Sequence, residues 1–470
     1  MSMNRQNARM VFLRFGKVGR ICSLALTVWL ALPASHARAA TYYVDVNNPS
    51  AADANNGSST MPWKSMYALN GKALAAGDTV IVKTGLYSVP TGGAWDMPAI
   101  NVGSSGTQSS PITIKSEQLY GAVLDGGGSA ANAPIGSSDR SWIVWDGFEV
   151  RNTGPKGIAI FRSTGITVQN CKIHAVVQVA IPGDNTDGIR VEGSKNVTLR
   201  NNDISDIRSG SPNHWNGAGV KLYDNFDVMV ENNRIHDIQG SAIFDKRGGN
   251  NNTYRNNLIE NVYDALVLNT IAGYPSGTIT FNNNVVRNVQ NLSQTDETMD
   301  GGVYVFSNTY VNYAGMGVRV RSSNPAHRYY FYNNLMVRTG LLSGSYGDVV
   351  VVNPTLVGQR NYNVYPSSSP RFVAFQYLAN ETAYTSLAAW KAAFPAYDVA
   401  SSSAAPVFVS AASGDYRLAA GSALKGSARV NGIATGAVID PGAYSTGSEV
   451  IGLKAAANLA PQSPQSLRVQ

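Results

Sequence analysis

Six short stretches of this 470-residue chain repeat one pattern, in which alternating apolar residues lead into asparagines and then an aliphatic residue. These asparagine repeats are ITVQNCKI (Ile166 to Ile173), VTLRNNDI (Val197 to Ile204), VMVENNRI (Val228 to Ile235), TYRNNLI (Thr253 to Ile259), ITFNNNVV (Ile279 to Val286) and YYFYNNLM (Tyr329 to Met336). Their last residues lie 31, 31, 24, 27 and 50 positions apart, and the final interval fits two units of about 25. A nearly constant interval of this length predicts a stacked repeat.

Each unit of the repeat contains the pattern of strands rather than of helices. Apolar residues at alternate positions, such as Val197 and Leu199, predict one strand. A second alternation precedes the asparagine repeats in GIAIF (Gly157 to Phe161), GIRVEG (Gly188 to Gly193), GVKLYD (Gly219 to Asp224), AIFDK (Ala242 to Lys246) and ALVLN (Ala265 to Asn269). Because corresponding strands of successive units can stack about 4.8 Å apart, the sequence predicts an all-β fold, a single-stranded parallel β-helix.

One position of each repeat holds an asparagine in the same register. The set is Asn202, Asn233, Asn257, Asn284 and Asn334, with Cys171 at this position in the first repeat. A buried amide at a turn can bond to the same amide one coil above and below, which satisfies its donor and its acceptor. We therefore expect a structural ladder at these asparagines and no functional site.

The N-terminal segment has the pattern of an export signal. Basic residues precede an apolar run from Ile21 to Ala34, and Ala37-Arg38-Ala39 is a small-x-small cleavage sequence. We predict that residues 1–39 are a signal peptide and that the mature chain is secreted or periplasmic. No membrane span is expected in the mature chain.

The charge of the chain is concentrated in this leader. Six of the 37 Lys and Arg residues lie in the first 40 positions, which contain none of the 30 Asp and Glu residues. The remainder is nearly balanced, so composition gives no reason to expect a nucleic-acid partner. Loss of Cys22 with the leader leaves Cys171 alone, and no intramolecular disulfide can form. We expect a monomer that is stabilised by its core.

The mature chain is predicted to be one β-helix domain at residues 40–445. Its open end needs a cover, and the amphipathic segment from Trp63 to Ala76 predicts a short N-terminal capping helix. Insertions at Ala175 to Asp187, Ile207 to Asn216 and Gln290 to Asp300 are expected to wall a groove. The segment 446–470, rich in Ala, Ser, Pro and Gln, is predicted to be disordered.

Cationic side chains are expected to point into this groove. If Ile189 and Val191 point inward, Arg190 points outward, and the same alternation turns Lys221 and Tyr223 outward. Arg190 and Lys221 are 31 residues apart, which is one coil, so we expect them to be stacked neighbours. Further candidates from the next coil and the adjacent loops are Lys246, Arg247, Asp184, Asp187, His214 and Trp215. Each charged residue can also be an ordinary solvated strand charge, and DNTDG can be only a turn.

Several motifs outside the repeats carry a family resemblance. YYVD (Tyr42 to Asp45), the series NNGSS, PWKS and AGDTVIVKTGLY (Asn55 to Tyr87), and the closing GDYRLAAGSAL and DPGAY resemble exported right-handed parallel β-helix proteins of the pectate-lyase-like superfamily, notably polysaccharide lyases. The resemblance covers nearly the whole mature chain. It implies a right-handed β-helix that acts on an acidic, uronate-containing polysaccharide.

The resemblance also implies residue roles. β-Elimination on a uronate needs a positive group for the carboxylate, a base for the proton at C5 and an acid for the leaving oxygen. Chondroitinase-B-like and alginate lyases have a Lys base followed by an Arg in the next coil, which Lys221 and Arg247 resemble. The acidic pair with which those enzymes hold Ca²⁺ has no counterpart between His214 and Val220. Family-nine pectate lyases place aspartates ahead of the Lys, and Asp184 and Asp187 match them in part.

We therefore predict a lyase in which Lys221 is the base and Arg190 or Arg247 binds the carboxylate. Lys246 and His214 are reserve candidates for the base. His214, Trp215 and Tyr223 are predicted to contact the sugar. Ca²⁺ is a candidate cofactor, with Asp184 and Asp187 as its candidate ligands. A uronate C5-epimerase would use the same proton abstraction, and a glycoside hydrolase would need two carboxylates, so both remain alternatives. A non-catalytic glycan-binding surface protein is the third alternative.

Overall fold

The computed structural model describes residues 39–89, 94–128, 133–178, 185–210, 214–269, 276–295, 300–320, 324–338, 349–351, 356–366, 373–375, 382–384 and 386–454. These residues coil into stacked parallel strands that form three faces around a continuous apolar core. The predicted all-β parallel β-helix is therefore confirmed. The predicted signal peptide lies outside the described residues except for Ala39.

Face A is a twelve-stranded parallel sheet with one strand from each successive coil. Its strands are β1 (Thr41–Val44), β2 (Thr79–Val82), β5 (Ile112–Ser116), β8 (Ile143–Asp146), β11 (Thr167–Gln169), β14 (Lys195–Arg200), β17 (Phe226–Glu231), β19 (Asn252–Arg255), β21 (Ile279–Asn282), β24 (Gly302–Phe306), β27 (Arg328–Tyr332) and β30 (Val357–Asn361). The first half of every asparagine repeat lies on this face.

Faces B and C share a twenty-stranded sheet, because two long strands run through the corner between them. Face B contains β3 (Gly85–Ser88), β6 (Ala122–Asp125), β9 (Glu149–Thr153), β12 (Lys172–Gln178), β15 (Asp203–Ser209), β22 (Val285–Val289), β25 (Thr309–Tyr313), β28 (Leu335–Val337) and the first halves of β18 (Arg234–Lys246) and β20 (Leu258–Asn269). Face C contains β4 (Ile100–Asn101), β7 (Ile135–Ser138), β10 (Lys156–Phe161), β13 (Thr186–Glu192), β16 (Gly217–Tyr223), β23 (Asn291–Thr295), β26 (Val318–Val320), β29 (Val349–Val351), β31 (Val373–Phe375) and the second halves of β18 and β20. The candidate site lies on face C.

The remaining elements are short. Antiparallel pairs join β31 to β32 (Thr382–Tyr384), β33 (Phe408–Ser410) to β34 (Asp415–Leu418), and β35 (Ala428–Arg429) to β36 (Val438–Ile439). The described helices are the α-helix α1 (Leu387–Ala393) and the 3₁₀ turns Met66–Gly71, His214–Asn216, Ala411–Ser413 and Val430–Gly432. No helix among the described residues is long and apolar enough to cross a membrane.

The predicted asparagine ladder runs along the corner between faces A and B. Asn202 Nδ2 donates to Asn233 Oδ1 at 3.0 Å, and Asn233 Nδ2 donates to Asn257 Oδ1 at 3.1 Å. The same contact continues through Asn284 and Asn334, and the structure adds Asn308 and Asn363 to the ladder. At its first coil, Cys171 N donates to Asn202 Oδ1, and burial raises the pKa of the Cys171 thiol to about 12. This thiol is therefore part of the scaffold.

The residue before each ladder asparagine makes the turn itself. Asn201, Asn232, Asn256, Asn283 and Asn333 all have φ between 53° and 59°. Asparagine tolerates this left-handed conformation better than most residues. The pair Asn-Asn thus encodes a corner of the coil, the first residue by its backbone and the second by its amide.

Both ends of the core carry apolar covers. At the N-terminal end the predicted capping helix is the 3₁₀ turn Met66–Gly71, in which Met66 and Leu69 are buried. Towards the C-terminal end, Trp390 of α1 is fully buried in the main core cluster. These covers shield the apolar interior that the last coils would otherwise expose.

Two predictions about individual segments are wrong. Gln290 to Asp300 is expected to be a loop, but Asn291–Thr295 forms β23. This strand is mostly polar and lacks the alternation of apolar residues that predicts a strand. Residues 446–454 were expected to be disordered, but they lie along the turn asparagines: Gly452 N donates to Asn256 O and Lys454 N donates to Asn201 Oδ1. The remainder of that tail, 455–470, lies outside the described residues.

Candidate functional site

Face C stacks two of the predicted cationic side chains, Arg190 and Lys221, in one column. Arg190 pairs with Lys221 in the register of β13 and β16, so the two residues are neighbours on adjacent coils, as predicted. Ile189, Val191, Val220 and Leu222 are buried in the core, which turns Arg190 and Lys221 outward. The column runs through Ala159, Arg190, Lys221, Phe244, Val267, Gln294 and Arg319.

A local break in the alternation places Asp187 on the same outer side. A Cβ on Gly188 would lie 2.7 Å from Ile204 Cγ2, inside the core, so this position points inward together with Ile189. Asp187 and Arg190 therefore both project outward, three residues apart. Arg190 Nη1 donates to Asp187 Oδ2 at 2.6 Å.

Lys221 is held firmly although it lies on the outer side of the coil. Its side chain is only 1% exposed. Nζ donates to Asn185 Oδ1 at 2.6 Å and to the carbonyl oxygen of Trp215 at 3.2 Å, and it lies 4.8 Å from the centre of the Phe244 ring. Asn185 and Trp215 come from the ends of the two predicted insertions, so these insertions do form part of the wall.

A cavity of about 380 Å³ opens beside Lys221, a volume within the range of small-ligand sites. Its lining is Asn185, Trp215, Asn216, Lys221, Phe244, Lys246, Val267, Leu268, Asn269, Gln294, Thr295 and Arg319. Among these described residues are three cations, four amides and two aromatic rings, and there is no carboxylate. The cavity is therefore suited to an anionic, hydroxyl-rich ligand.

Lys246 is the second lysine in the cavity wall. Its Nζ lies 5.7 Å from the centre of the Tyr223 ring and 5.8 Å from the centre of the Phe244 ring. Burial lowers the pKa of the Lys246 ammonium, and the nearby guanidinium groups of Arg247 and Arg190 lower it further. A lysine in such surroundings releases its proton more readily than a solvated one, as a general base requires.

Arg190 is part of the groove wall and is not among the residues that line the cavity. Only 3% of it is exposed, and besides Asp187 it donates from Nε to Glu192 Oε2 at 3.3 Å. Two aromatic rings lie beside its guanidinium carbon, with the ring centre of Trp95 at 5.2 Å and that of Tyr223 at 4.2 Å. Stacked and ion-paired, the guanidinium braces the wall next to Lys221.

Tyr223 and Arg247 extend this stack. The Tyr223 ring, predicted to contact sugar, is 3% exposed and lies between Arg190 and Arg247, with Arg247 at 5.0 Å. Burial raises the pKa of Tyr223 to about 12. Arg247 adopts a left-handed turn conformation, and the register partner of Lys221 in this coil is Phe244. The expected Lys-then-Arg pair is therefore offset, with Arg247 at the corner near Glu192 and Asp224.

The other predicted residues divide between the cavity and the undescribed segments. Trp215 lines the cavity and packs on Phe244, with ring centres 6.2 Å apart. His214 begins the 3₁₀ turn that carries Trp215, and the position of its side chain is outside the described part. Asp184 also lies outside the described residues.

The predicted Ca²⁺ ligands are described only in part, because Asp184 lies outside the described residues. Calcium is held by six to eight oxygen ligands, mainly carboxylates and carbonyls. Asp187 is fully buried and its Oδ2 is paired with Arg190, which neutralises its charge. In the described part of the chain, no three His, Cys, Asp or Glu residues group closely enough to hold a metal ion.

Several site residues were missed by the sequence reading. Phe244, Gln294 and Arg319 follow from the same column once the coils after Lys221 are registered correctly. A bulge between Ile238 and Ser241 changes the spacing there, which made the register ambiguous. Trp95 lies far back in the sequence, in the segment before β4, and no local signal marks it.

Comparison with known protein families gives one match. The family described as "Right handed beta helix region" matches residues 135–336, which include every asparagine repeat and most of face C. No protein of curated function matches the chain in sequence. The family match agrees with the coil geometry, so the fold is a right-handed β-helix.

Solved structures resemble the chain in fold. Pectate lyase Pel9A has a TM-score of 0.54 at 18% identity, covering 86% of this chain and 96% of that one. A mannuronic acid specific family 6 lyase from human gut microbiota has a TM-score of 0.47 at 12% identity, covering 72% and 80%. A family 28 exopolygalacturonase from Yersinia enterocolitica has a TM-score of 0.46 at 13% identity, covering 72% and 74%. At 18% identity the likeness to Pel9A concerns the architecture alone.

Proposed function

We propose that this protein is an exported polysaccharide lyase that cleaves a uronate-containing chain by β-elimination in the cavity beside Lys221. The observation that carries the proposal is the lining of that cavity, where Lys221, Lys246 and Arg319 converge with amides and aromatic rings and, among the described lining residues, without a carboxylate. A polyanionic sugar matches this lining in charge and in hydrogen-bonding groups.

The two lysines divide the chemistry between them. Lys221 was predicted as the base, but its Nζ donates to two oxygens, an arrangement suited to a fixed ammonium that neutralises the uronate carboxylate. Lys246, whose pKa is lowered by burial and by Arg247 and Arg190, is the better base. We therefore assign proton abstraction to Lys246 and carboxylate binding to Lys221, with Arg319 as a further cationic group.

In the elimination, a proton leaves C5 and the glycosidic oxygen leaves C4. The neutral Nζ of Lys246 takes the proton from C5, and Lys221 stabilises the negative charge that develops on the carboxylate. The C5 electron pair forms a C4–C5 double bond as the bond from C4 to the glycosidic oxygen breaks. The leaving oxygen takes a proton from water.

The residues that line this cavity favour some of the alternative functions over others. Hydrolysis of a glycosidic bond needs two carboxyl groups about 5 to 9.5 Å apart, which the described lining does not offer. C5-epimerisation uses the same proton abstraction and differs only in returning the proton to the opposite face. A non-catalytic glycan-binding protein does not require the pKa of a groove lysine to be lowered.

The test is incubation of the mature protein with pectate, alginate and glycosaminoglycans while ultraviolet absorbance of the unsaturated uronate is followed. Pectate comes first because the lyase Pel9A shares the fold. Lys246→Gln is expected to abolish turnover, and Lys221→Gln is expected to raise KM strongly. Deuterium uptake at C5 without new absorbance would indicate an epimerase, and binding without either signal would indicate a glycan-binding protein.

A further inference from the structure

Trp95 lies in the segment before β4 and packs against side chains of face C, yet it is half exposed. Its side chain is 49% exposed, whereas the other tryptophan near the site, Trp215, is mostly covered by Phe244 and Val267. Tryptophan is large enough that leaving half of its surface in water gives up a substantial part of its burial energy. Because tryptophan is enriched at surfaces that bind partners, this indole is a candidate contact for a ligand.

The covered side of Trp95 lies against two buried cations. Lys156 Nζ is 4.5 Å from the ring centre, and the Arg190 guanidinium carbon is 5.2 Å from it. Phe161 packs at 5.5 Å between ring centres with a tilt of 51°. These contacts fix the orientation of the indole and leave its remaining surface directed towards solvent.

The register of face C places this indole next to the proposed cavity. Arg190, which Trp95 covers, is the partner of Lys221 on the preceding coil. One coil corresponds to about 4.8 Å along the axis. The indole therefore continues the groove by one to two coils towards the N terminus, on the side opposite to Arg319.

Charged groups around Trp95 are already paired. Arg162 Nη1 donates to Asp96 Oδ2 at 2.8 Å, and Arg162 Nε donates to Asp139 Oδ1 at 2.8 Å. The surface offered at this point is thus the exposed half of an aromatic ring, which suits the C–H groups of a sugar ring more than its carboxylate.

We propose that Trp95 is a stacking platform for the sugar residue adjacent to the one held in the cavity. The proposal rests on the proposed function only in taking a polysaccharide as ligand. It makes Trp95 a specificity-determining residue, because a platform outside the cavity contributes to binding of oligosaccharides and not to binding of a single uronate. Longer substrates are therefore favoured over short ones.

The test compares affinities for a monouronate and for tetra-uronates of galacturonate and mannuronate. Titration calorimetry is carried out on the full mature chain with Lys246→Gln, which prevents cleavage, and the monomer is measured by displacement of the tetramer. Trp95→Leu keeps an apolar cover over Arg190 but removes the aromatic face, and Trp95→Phe keeps an aromatic face. Met97→Ala, an exposed neighbour in the same segment, is the matched control.

Trp95→Leu is expected to weaken tetra-uronate binding about three- to tenfold while monouronate binding stays the same. Trp95→Phe restores most of the loss, and Met97→Ala has no effect. Unchanged tetramer affinity in Trp95→Leu would overturn the proposal, as would an equal loss for monomer and tetramer, which would mean that Trp95 only supports the wall. Because binding is read without turnover, a failure of the lyase assignment leaves this result interpretable.

Discussion

Replacing Asn257 by alanine tests the ladder on which the coil stacking depends. The Asn257 side chain is fully buried and makes four hydrogen bonds. Nδ2 donates to the carbonyl oxygen of Val230 at 2.9 Å and to Asn284 Oδ1 at 3.0 Å. Oδ1 accepts from Asn233 N at 3.0 Å and from Asn233 Nδ2 at 3.1 Å. The substitution removes all four at once.

The expected cost follows from the partners that remain. The backbone N–H of Asn233 loses its acceptor inside the core, which costs about 1 to 3 kcal/mol, and the other lost bonds add about 1 kcal/mol each. Asn257→Ala should therefore lower the free energy of unfolding by about 4 to 6 kcal/mol.

The measurement is urea unfolding followed by far-ultraviolet circular dichroism. The matched control is Asn48→Ala, a partly exposed asparagine whose Oδ1 accepts one bond from Ser50 N, and its effect should stay within about 0.5 kcal/mol. A loss below about 1 kcal/mol for Asn257→Ala, or equal losses for both variants, would refute the account of the ladder as the main polar support of the core.

Three further predictions concern pH and the groove wall. Burial raises the pKa of Asp245 from 3.8 to about 6. The stability that this carboxyl contributes is therefore complete below pH 3.8 and is lost, by about 3 kcal/mol, as the pH rises to 6. The difference in unfolding free energy between wild type and Asp245→Asn, measured in urea, should change between about pH 4 and pH 7, and a constant difference would contradict this. Burial lowers the pKa of His236, but the hydrogen bonds to Asp203 and Asp237 raise it more. The stability that His236 contributes is therefore present below pH 6.5 and is lost as the pH rises above it. His236→Gln should destabilise the protein more at about pH 6 than at about pH 9, and the reverse result in thermal unfolding would exclude this pairing. Arg190→Met leaves the buried Asp187 without its cation and should lower the free energy of unfolding by about 3 kcal/mol in denaturant unfolding. Arg162→Met, which breaks an exposed ion pair with Asp139, should cost less.

The fold could be predicted from the sequence because successive coils repeat the same two signals. An Asn-Asn pair in each coil specifies both the left-handed turn and the ladder amide, and alternation fixes which side chains enter the core. Asn308 and Asn363 were missed because Ser307 and Tyr362 stand where the other coils have the first asparagine. One repeated signal therefore fixed most coils, and the exceptions lie where a single residue of the pair has changed.

The candidate site was only partly predictable. The pairing of Arg190 with Lys221 followed from a spacing of one coil, but burial of Arg190 depends on Trp95, which arrives from an earlier segment. The position of Lys246 in the groove was obscured because the bulge after Ile238 shifts the register of its coil. Periodicity thus predicts which residues share a column, whereas contacts from outside the repeat decide which of them reach the cavity.

The central claim is that Lys246 removes a proton from a uronate in the cavity beside Lys221. The most direct measurement is the rate of unsaturated-uronate formation as a function of pH for wild type and Lys246→Gln, on the polysaccharide that the wild type cleaves fastest. The account predicts a wild-type rate that rises with pH through the lowered pKa of Lys246, and no rate above background in Lys246→Gln. Undiminished formation of the unsaturated product by Lys246→Gln, with the same pH profile, would contradict it.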